Sequence, residues 1–138
     1  MKKTIAVSGG FDPVHVGHVR MIQGASLNGD VLVIVNSDEW LLRKKGYVFM
    51  PFEEREEILL SINGVTKVVP VDDSDGTVCC ALREHLPEYF ANGGDRVQNN
   101  TPEMSVCEKL GIKMVWNIGG EKIQSSSDLV SRSKKRDE

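Results

Sequence analysis

The chain has 138 residues, 40% of them hydrophobic and 27% charged, and a formal net charge of −3. That length supports one domain with a real core and is short for two. With no basic excess to neutralise a phosphate backbone, general nucleic-acid binding is excluded, and any affinity for phosphate must be local.

Thr4-Ile5-Ala6-Val7 is an apolar run that predicts a short buried strand. Ser8-Gly9-Gly10-Phe11-Asp12-Pro13-Val14-His15-Val16-Gly17-His18 follows, leading into a helix with Val16, Val19, Ile22 and Leu27 on or near one face and Gly29 as its stop. Asp30 to Asn36 is continuously apolar in its middle, as expected of a strand covered on both faces. Ser37-Asp38-Glu39 caps a short helical piece through Leu42, after which Arg43-Lys44-Lys45-Gly46 reads as a basic loop. Pro51 opens a helix over 52–62, stopped by Asn63-Gly64. Lys67 to Val71 is a third strand, with Pro70 marking its end or a sheet edge.

Asp72 to Gly76 is a turn that caps a helix from Thr77 to His85, and Tyr89-Phe90-Ala91 is a short fourth strand ending at Asn92-Gly93-Gly94-Asp95-Arg96. Pro102 begins a helix that runs to Leu110 and closes at Gly111. Lys113 to Ile118 is a fifth strand, and Ser125 or Ser126 caps a last helix. The domain is expected over residues 1–132, with a charged tail at 133–138. Strands alternating with helices predict one Rossmann-like, doubly wound, parallel five-stranded α/β sheet with helices on both faces. In such sheets ligands bind at the carboxyl ends of strands, where the glycine loop, Asn36-Ser37-Asp38 and Asn92 to Asp95 all fall.

Met1-Lys2-Lys3 runs straight into a strand instead of a secretory leader, and no apolar run approaches the ~20 residues of a membrane span. The three cysteines show no metal-ligand spacing and read as reduced thiols, so the expected location is the cytoplasm.

The chemistry concentrates at the first junction. A helix N-terminus offers backbone N–H groups and partial positive charge, and Gly9 and Gly10 let a phosphate come close to the backbone. His15 and His18, three residues apart, share a face of the first turn, and Gly17 leaves a gap between them. Two imidazoles aimed at one anion suit a phosphate that gathers charge during reaction.

Gly9-Gly10-Phe11-Asp12-Pro13-Val14-His15-Val16-Gly17-His18 resembles the H-x-G-H signature of the cytidylyltransferase-like nucleotidyltransferases, in particular the heptose-1-phosphate adenylyltransferase and glycerol-3-phosphate cytidylyltransferase branches. The resemblance implies transfer of AMP or CMP from ATP or CTP to a small phosphorylated metabolite, of sugar-phosphate or glycerol-phosphate type, with release of pyrophosphate. It places His15, His18 and Lys45 in catalysis. The nucleotide would lie on Ser8, Gly9, Gly10, Phe11, Gly17 and Lys44. Asn92, Gly94, Asp95 and the hydroxyls of Ser125, Ser126 and Ser127 would complete that site. Arg55, Asp38 and Asp12 would face the acceptor. Mg²⁺ is expected to ride on the nucleotide's phosphates, with no protein cage and no metal ligand set.

Two departures from the family pattern stand out, and the first of them bears on the base. The Arg-Thr-Glu-Gly-Ile lead-in of the cytidylyltransferases is replaced by Gly120-Glu121-Lys122-Ile123, which leans the reading toward ATP, and Gly10 stands where the relatives carry threonine or cysteine. A CTP-dependent glycerol-phosphate-type enzyme is the near alternative, and a non-catalytic nucleotide-binding regulatory domain is an alternative of another class. No membrane or nucleic-acid partner is expected, and a homodimer is in keeping with the family.

Overall fold

The computed structural model describes residues 3–93 and 101–118, with backbone alone at 92, 93 and 116–118. Ten elements follow in order: β1 (Thr4–Gly9), α1 (Val16–Ser26), β2 (Asp30–Val35), α2 (Asp38–Lys45), α3 (Phe52–Leu60), β3 (Val65–Pro70), α4 (Cys79–His85), β4 (Tyr89–Gly93), α5 (Pro102–Leu110) and β5 (Lys113–Ile118). The strands form one sheet in the order β3-β2-β1-β4-β5, and every adjacent pair is parallel. The expected α/β architecture is thus present.

Period-two alternation explains the layers. Ile5 and Val7 of β1 and Val31, Val33 and Val35 of β2 face Ile22 and Ala25 of α1 and Leu59 of α3. Ala6, Leu32 and Ile34 point the other way, against Ala81 and Leu82 of α4 and Cys107 of α5. Both faces are covered, which is why β2 reads as an unbroken apolar run. Before β2 the chain passes so close to the start of β1 that a Cβ on Gly29 would lie 2.2 Å from the Lys3 carbonyl oxygen, so only glycine fits.

Several element limits differ from the sequence reading. In α1 the buried positions are Ile22 and Ala25; Val16 and Leu27 are exposed, Leu27 because it is the cap residue after the last turn. Arg43, Lys44 and Lys45 are not a loop but the last turn of α2, which ends at Gly46 with φ 85°. Cations at a helix C-terminus are favoured by the dipole, and glycine supplies the left-handed cap. α3 stops at Leu60, short of residue 62. α4 begins at Cys79 with no side-chain cap on its N-cap residue Val78, and Asp75 instead takes the Thr77 N–H (2.9 Å) in a local turn. Pro70 is both the end of β3 and on a sheet edge, where a missing N–H costs no ladder bond. The last helix, the tail, Gly94, Asp95 and Ser125 to Ser127 lie outside the described residues.

Candidate active site

β1 delivers the glycine loop at its carboxyl end, between β2 and β4. Gly9 closes the ladder by accepting the Asn36 N–H at 2.9 Å. Phe11 then takes a left-handed conformation, φ 53°, which is costly for a residue with a side chain and persists only where the surroundings hold it. Its ring is buried in the core on the α1 side and meets the His18 ring edge-on, 4.7 Å between centroids.

The two histidines form a reciprocal cap on α1. His15 is the N-cap residue and its Nδ1 accepts the Gly17 N–H at 3.1 Å, while His18 Nδ1 accepts the His15 N–H at 3.2 Å. The rings are stacked, with centroids 3.9 Å apart and planes 26° apart. A ring whose Nδ1 accepts is neutral there and carries its proton on Nε2. Burial, reinforced by the neighbouring His15, pushes the His18 pKa down to about 3. In the unliganded chain His18 is therefore a neutral N–H donor at ordinary pH. Part of the helix N-terminus that glycine-loop reasoning treats as open is taken by this pair: the Gly17 and His15 amides are occupied by imidazole nitrogens.

The three residues expected at the acceptor build something else. Arg55 is 0% exposed. Its Nη1 donates to the carbonyls of Gly10 (2.7 Å) and Asn36 (2.8 Å), its Nε to that of Met50 (2.9 Å), and its Nη2 to Asp38 Oδ1 (2.6 Å). Asp38 also takes the Phe52 N–H at 3.1 Å. Asp12, 1% exposed, accepts from Lys45 Nζ (3.1 Å), from the Phe49 amide (2.8 Å) and from the Met50 amide. The expectation of an arginine facing an acceptor phosphate is corrected by this geometry. A buried guanidinium is stable only when its donors are filled, and here four bonds tie the glycine loop, the end of β2 and the 46–52 segment together.

Lys45 belongs to the same interlock, with a second bond to the Asp12 carbonyl (2.9 Å) and its ammonium 4.9 Å from the centre of the Tyr47 ring. Lys44 lies over the Trp40 ring at 4.6 Å, and Arg43 donates to the Asp73 carbonyl at 2.8 Å. Ser8 and Gly9 end β1 beside Ile34 and Val35, and Asn92 lies in β4 by its backbone.

Asp73 is the residue that sequence reasoning missed. It is buried after β3, and its carboxylate accepts from Asn36 Nδ2 (3.0 Å), the Ser37 N–H (2.9 Å) and the Ser37 hydroxyl (2.6 Å). Within Asp72-Asp73-Ser74-Asp75-Gly76 nothing distinguishes it from its solvated neighbours except its place two residues inside the turn. Among the described residues no group of three or more His, Cys, Asp or Glu side chains could hold a metal ion. The glycine loop's own carboxylate, Asp12, is already filled by three donors. Among the described residues no helix is long and apolar enough to cross a membrane.

Residues 6–131 match the cytidylyltransferase-like family model. The chain is 32% identical over 123 residues to Bifunctional protein HldE of Sodalis glossinidius, covering 87% of this chain and 24% of that protein. It is 31% identical over 137 residues to Bifunctional protein HldE of Geobacter metallireducens, covering 96% of this chain and 28% of the relative. The chain thus spans about a quarter of the length of these curated relatives. Among solved structures, a lipopolysaccharide core biosynthesis protein from Thermoplasma volcanium superposes with a TM-score of 0.70 at 22% identity, over 85% of this chain and 97% of that one, and so shares its fold.

Proposed function

The chain belongs to the cytidylyltransferase-like family of nucleotidyltransferases, and from that premise we propose that it moves a nucleotidyl group from a nucleoside triphosphate to a small phosphorylated metabolite. The observation that carries this reading is the imidazole pair: two stacked rings, each with Nδ1 fixed by the backbone of α1 and its proton on Nε2. Neutral donors fixed in this way can follow the growth of charge on a phosphate without having to reorganise.

In the step itself an oxygen of the acceptor's phosphate attacks the α-phosphorus in line. The new P–O bond forms as the bond to the β-phosphate oxygen breaks, and pyrophosphate leaves with that electron pair. The chain's part is positioning and charge stabilisation. His15 and His18 would donate to oxygens of the α- and β-phosphates. The backbone of Gly9, Gly10 and Phe11, with Lys44 and the third donor of Lys45, would hold the rest of the triphosphate. Gly17 gives the ligand room against the helix. Ser8, Asn92, Gly94, Asp95 and Ser125 to Ser127 complete the nucleotide site in this reading. Mg²⁺ would come with the nucleotide and would neutralise charge on its phosphates.

Loss of the cytidylyltransferase lead-in before Ile123 favours ATP, with a sugar-phosphate-like acceptor. The test is pyrophosphate release with ATP and then CTP, each with Mg²⁺, against glycerol 3-phosphate and sugar 1-phosphates. Release that requires one acceptor and disappears in His18→Ala is the expected result. Tight nucleotide binding with no release across a broad acceptor panel would overturn catalysis and leave a nucleotide-binding domain.

A further inference from the structure

We propose that Arg55 is a positioning residue for the phosphate site: by gripping the Gly10 carbonyl it turns the Phe11 N–H outward as a donor to a phosphate oxygen, an inference that rests on the nucleotidyl-transfer reading. One nitrogen, Nη1, holds two carbonyls at the carboxyl ends of neighbouring strands, Gly10 O at 2.7 Å and Asn36 O at 2.8 Å. Both following peptides are trans, since the one cis bond among the described residues is Asp12–Pro13. In a planar trans peptide the N–H points opposite to the C=O. A carbonyl drawn onto the guanidinium therefore aims the next N–H directly away from it.

The Asn36–Ser37 peptide shows the consequence in full. Its carbonyl lies on Arg55, and the Ser37 N–H on the other side meets a carboxylate oxygen of Asp73 at 2.9 Å. The Gly10–Phe11 peptide is gripped by the same nitrogen in the same sense, so its N–H is likewise turned away from the guanidinium. Among the described residues no carboxylate is offered there: the first turn of α1 holds no acidic residue, and Asp12 is engaged by Lys45, Phe49 and Met50. In this proposal the anion that completes the pattern is a ligand's, and next to His18 it is a phosphate oxygen. The left-handed φ of Phe11 is maintained by this grip on one side and by the buried ring on the other.

The test uses the full chain labelled with ¹⁵N and inorganic triphosphate as probe, read at the Phe11 amide and the His18 ring. In the wild type the Phe11 amide shifts on saturation. Arg55→Lys keeps the charge but cannot span the carbonyls, so triphosphate affinity falls roughly tenfold or more and the Phe11 response is lost while the His18 ring still responds. Asp38→Ala is the stability control, because it removes the Nη2 acceptor and leaves both Nη1 carbonyls in place; Phe11 then keeps its response. An unmoved Phe11 amide in the saturated wild type, or no triphosphate binding at all, overturns the assignment. So does an intact response in Arg55→Lys, or equal loss in both variants, which would trace the effect to a loosened fold. A Phe11 response of the expected kind in a protein that transfers nothing would uphold the role of Arg55 and bring down the transferase reading alone.

Discussion

α1 and α2 begin at the carboxyl ends of neighbouring strands, and their N-termini are finished in opposite electrostatic states. At α2 the cap is a hydroxyl: Ser37 Oγ accepts the Trp40 N–H at 3.0 Å, a buried carboxylate from Asp73 sits behind it, and Asp38 and Glu39 occupy the first turn. At α1 the caps are two imidazoles, and the first turn holds no carboxylate. Positive potential at a helix start attracts an anion in either place. In α2 the anion is part of the chain; in α1 the chain supplies neutral donors and, in the proposed reading, leaves the anion to a substrate. The same fold position is thus a structural joint after one strand and, as proposed, a binding site after the next.

The largest expected effect comes from removing the donor at α1. His18→Ala should lower nucleotidyl transfer by roughly 10²–10³-fold, the usual cost of losing one preorganised donor to developing charge. Single-turnover pyrophosphate release would measure it; a loss below about fivefold would show α1 to be a cap and nothing more. Next comes the internal anion at α2. Asp73→Asn exchanges an acceptor for a donor facing Asn36 and Ser37, leaving buried donors unpaired, and should cost roughly 1–3 kcal/mol in urea unfolding with an unchanged slope. If the urea midpoint did not move, the claim that α2 depends on its own carboxylate would fail.

The contrast between the two helix starts was half legible in the sequence. Gly9 to His18 announced α1 because glycine, histidine and helix signals are local, and the limits of α5 and β5 were readable for the same reason: Pro102 and Gly111 punctuate the chain. Asp73 was invisible because its partners, Asn36 and Ser37, are more than thirty-five residues away, and only the pairing of β2 with β3 brings them together. Arg55 was seen but given the wrong direction. Whether an arginine on a first helical turn faces a substrate or the interior depends here on the distant carbonyls of Gly10 and Asn36, and its own Glu-rich neighbourhood carries no trace of them. Lys44 and Lys45 looked like loop because the run of charge was obvious and the helical C-cap geometry of Gly46 was not.

A smaller effect separates the two regions by pH. With its folded pKa near 3, His18 binds a proton more readily in the unfolded chain, whose value is the ordinary 6.5. Between those values the unfolded state holds more protons, so stability rises with pH through this window and falls as pH drops below about 6.5, by at most ~1.4 kcal/mol per pH unit for one group. Urea midpoints at pH 5 and pH 7, compared between the wild type and His18→Gln, isolate that slope from the carboxylates common to both. An identical pH dependence in the two proteins would mean that His18 titrates as an exposed histidine does, and the neutral-donor picture of α1 would be lost.

The smallest effect lies where the two helix starts touch. A Cβ on Gly10 would stand 3.2 Å from Leu41 Cδ2 and 3.5 Å from the Trp40 ring, so the glycine loop of α1 rests directly on the first turns of α2. Gly10→Ala adds one methyl to a contact that must give by a few tenths of an ångström, with Leu41 buried in the core and Trp40 half-exposed. The gain from restricting the unfolded chain is about 0.4–1 kcal/mol and offsets much of that crowding. The net change in stability should therefore stay within about 1 kcal/mol, as read by thermal melting. Triphosphate affinity is the more telling number. If α2 is a fixed platform, the methyl can be accommodated only by lifting the loop, and affinity drops while the melting temperature hardly moves. If both stay put, Leu41 has yielded, and the joint at α2 is softer than the carboxylate behind it implies.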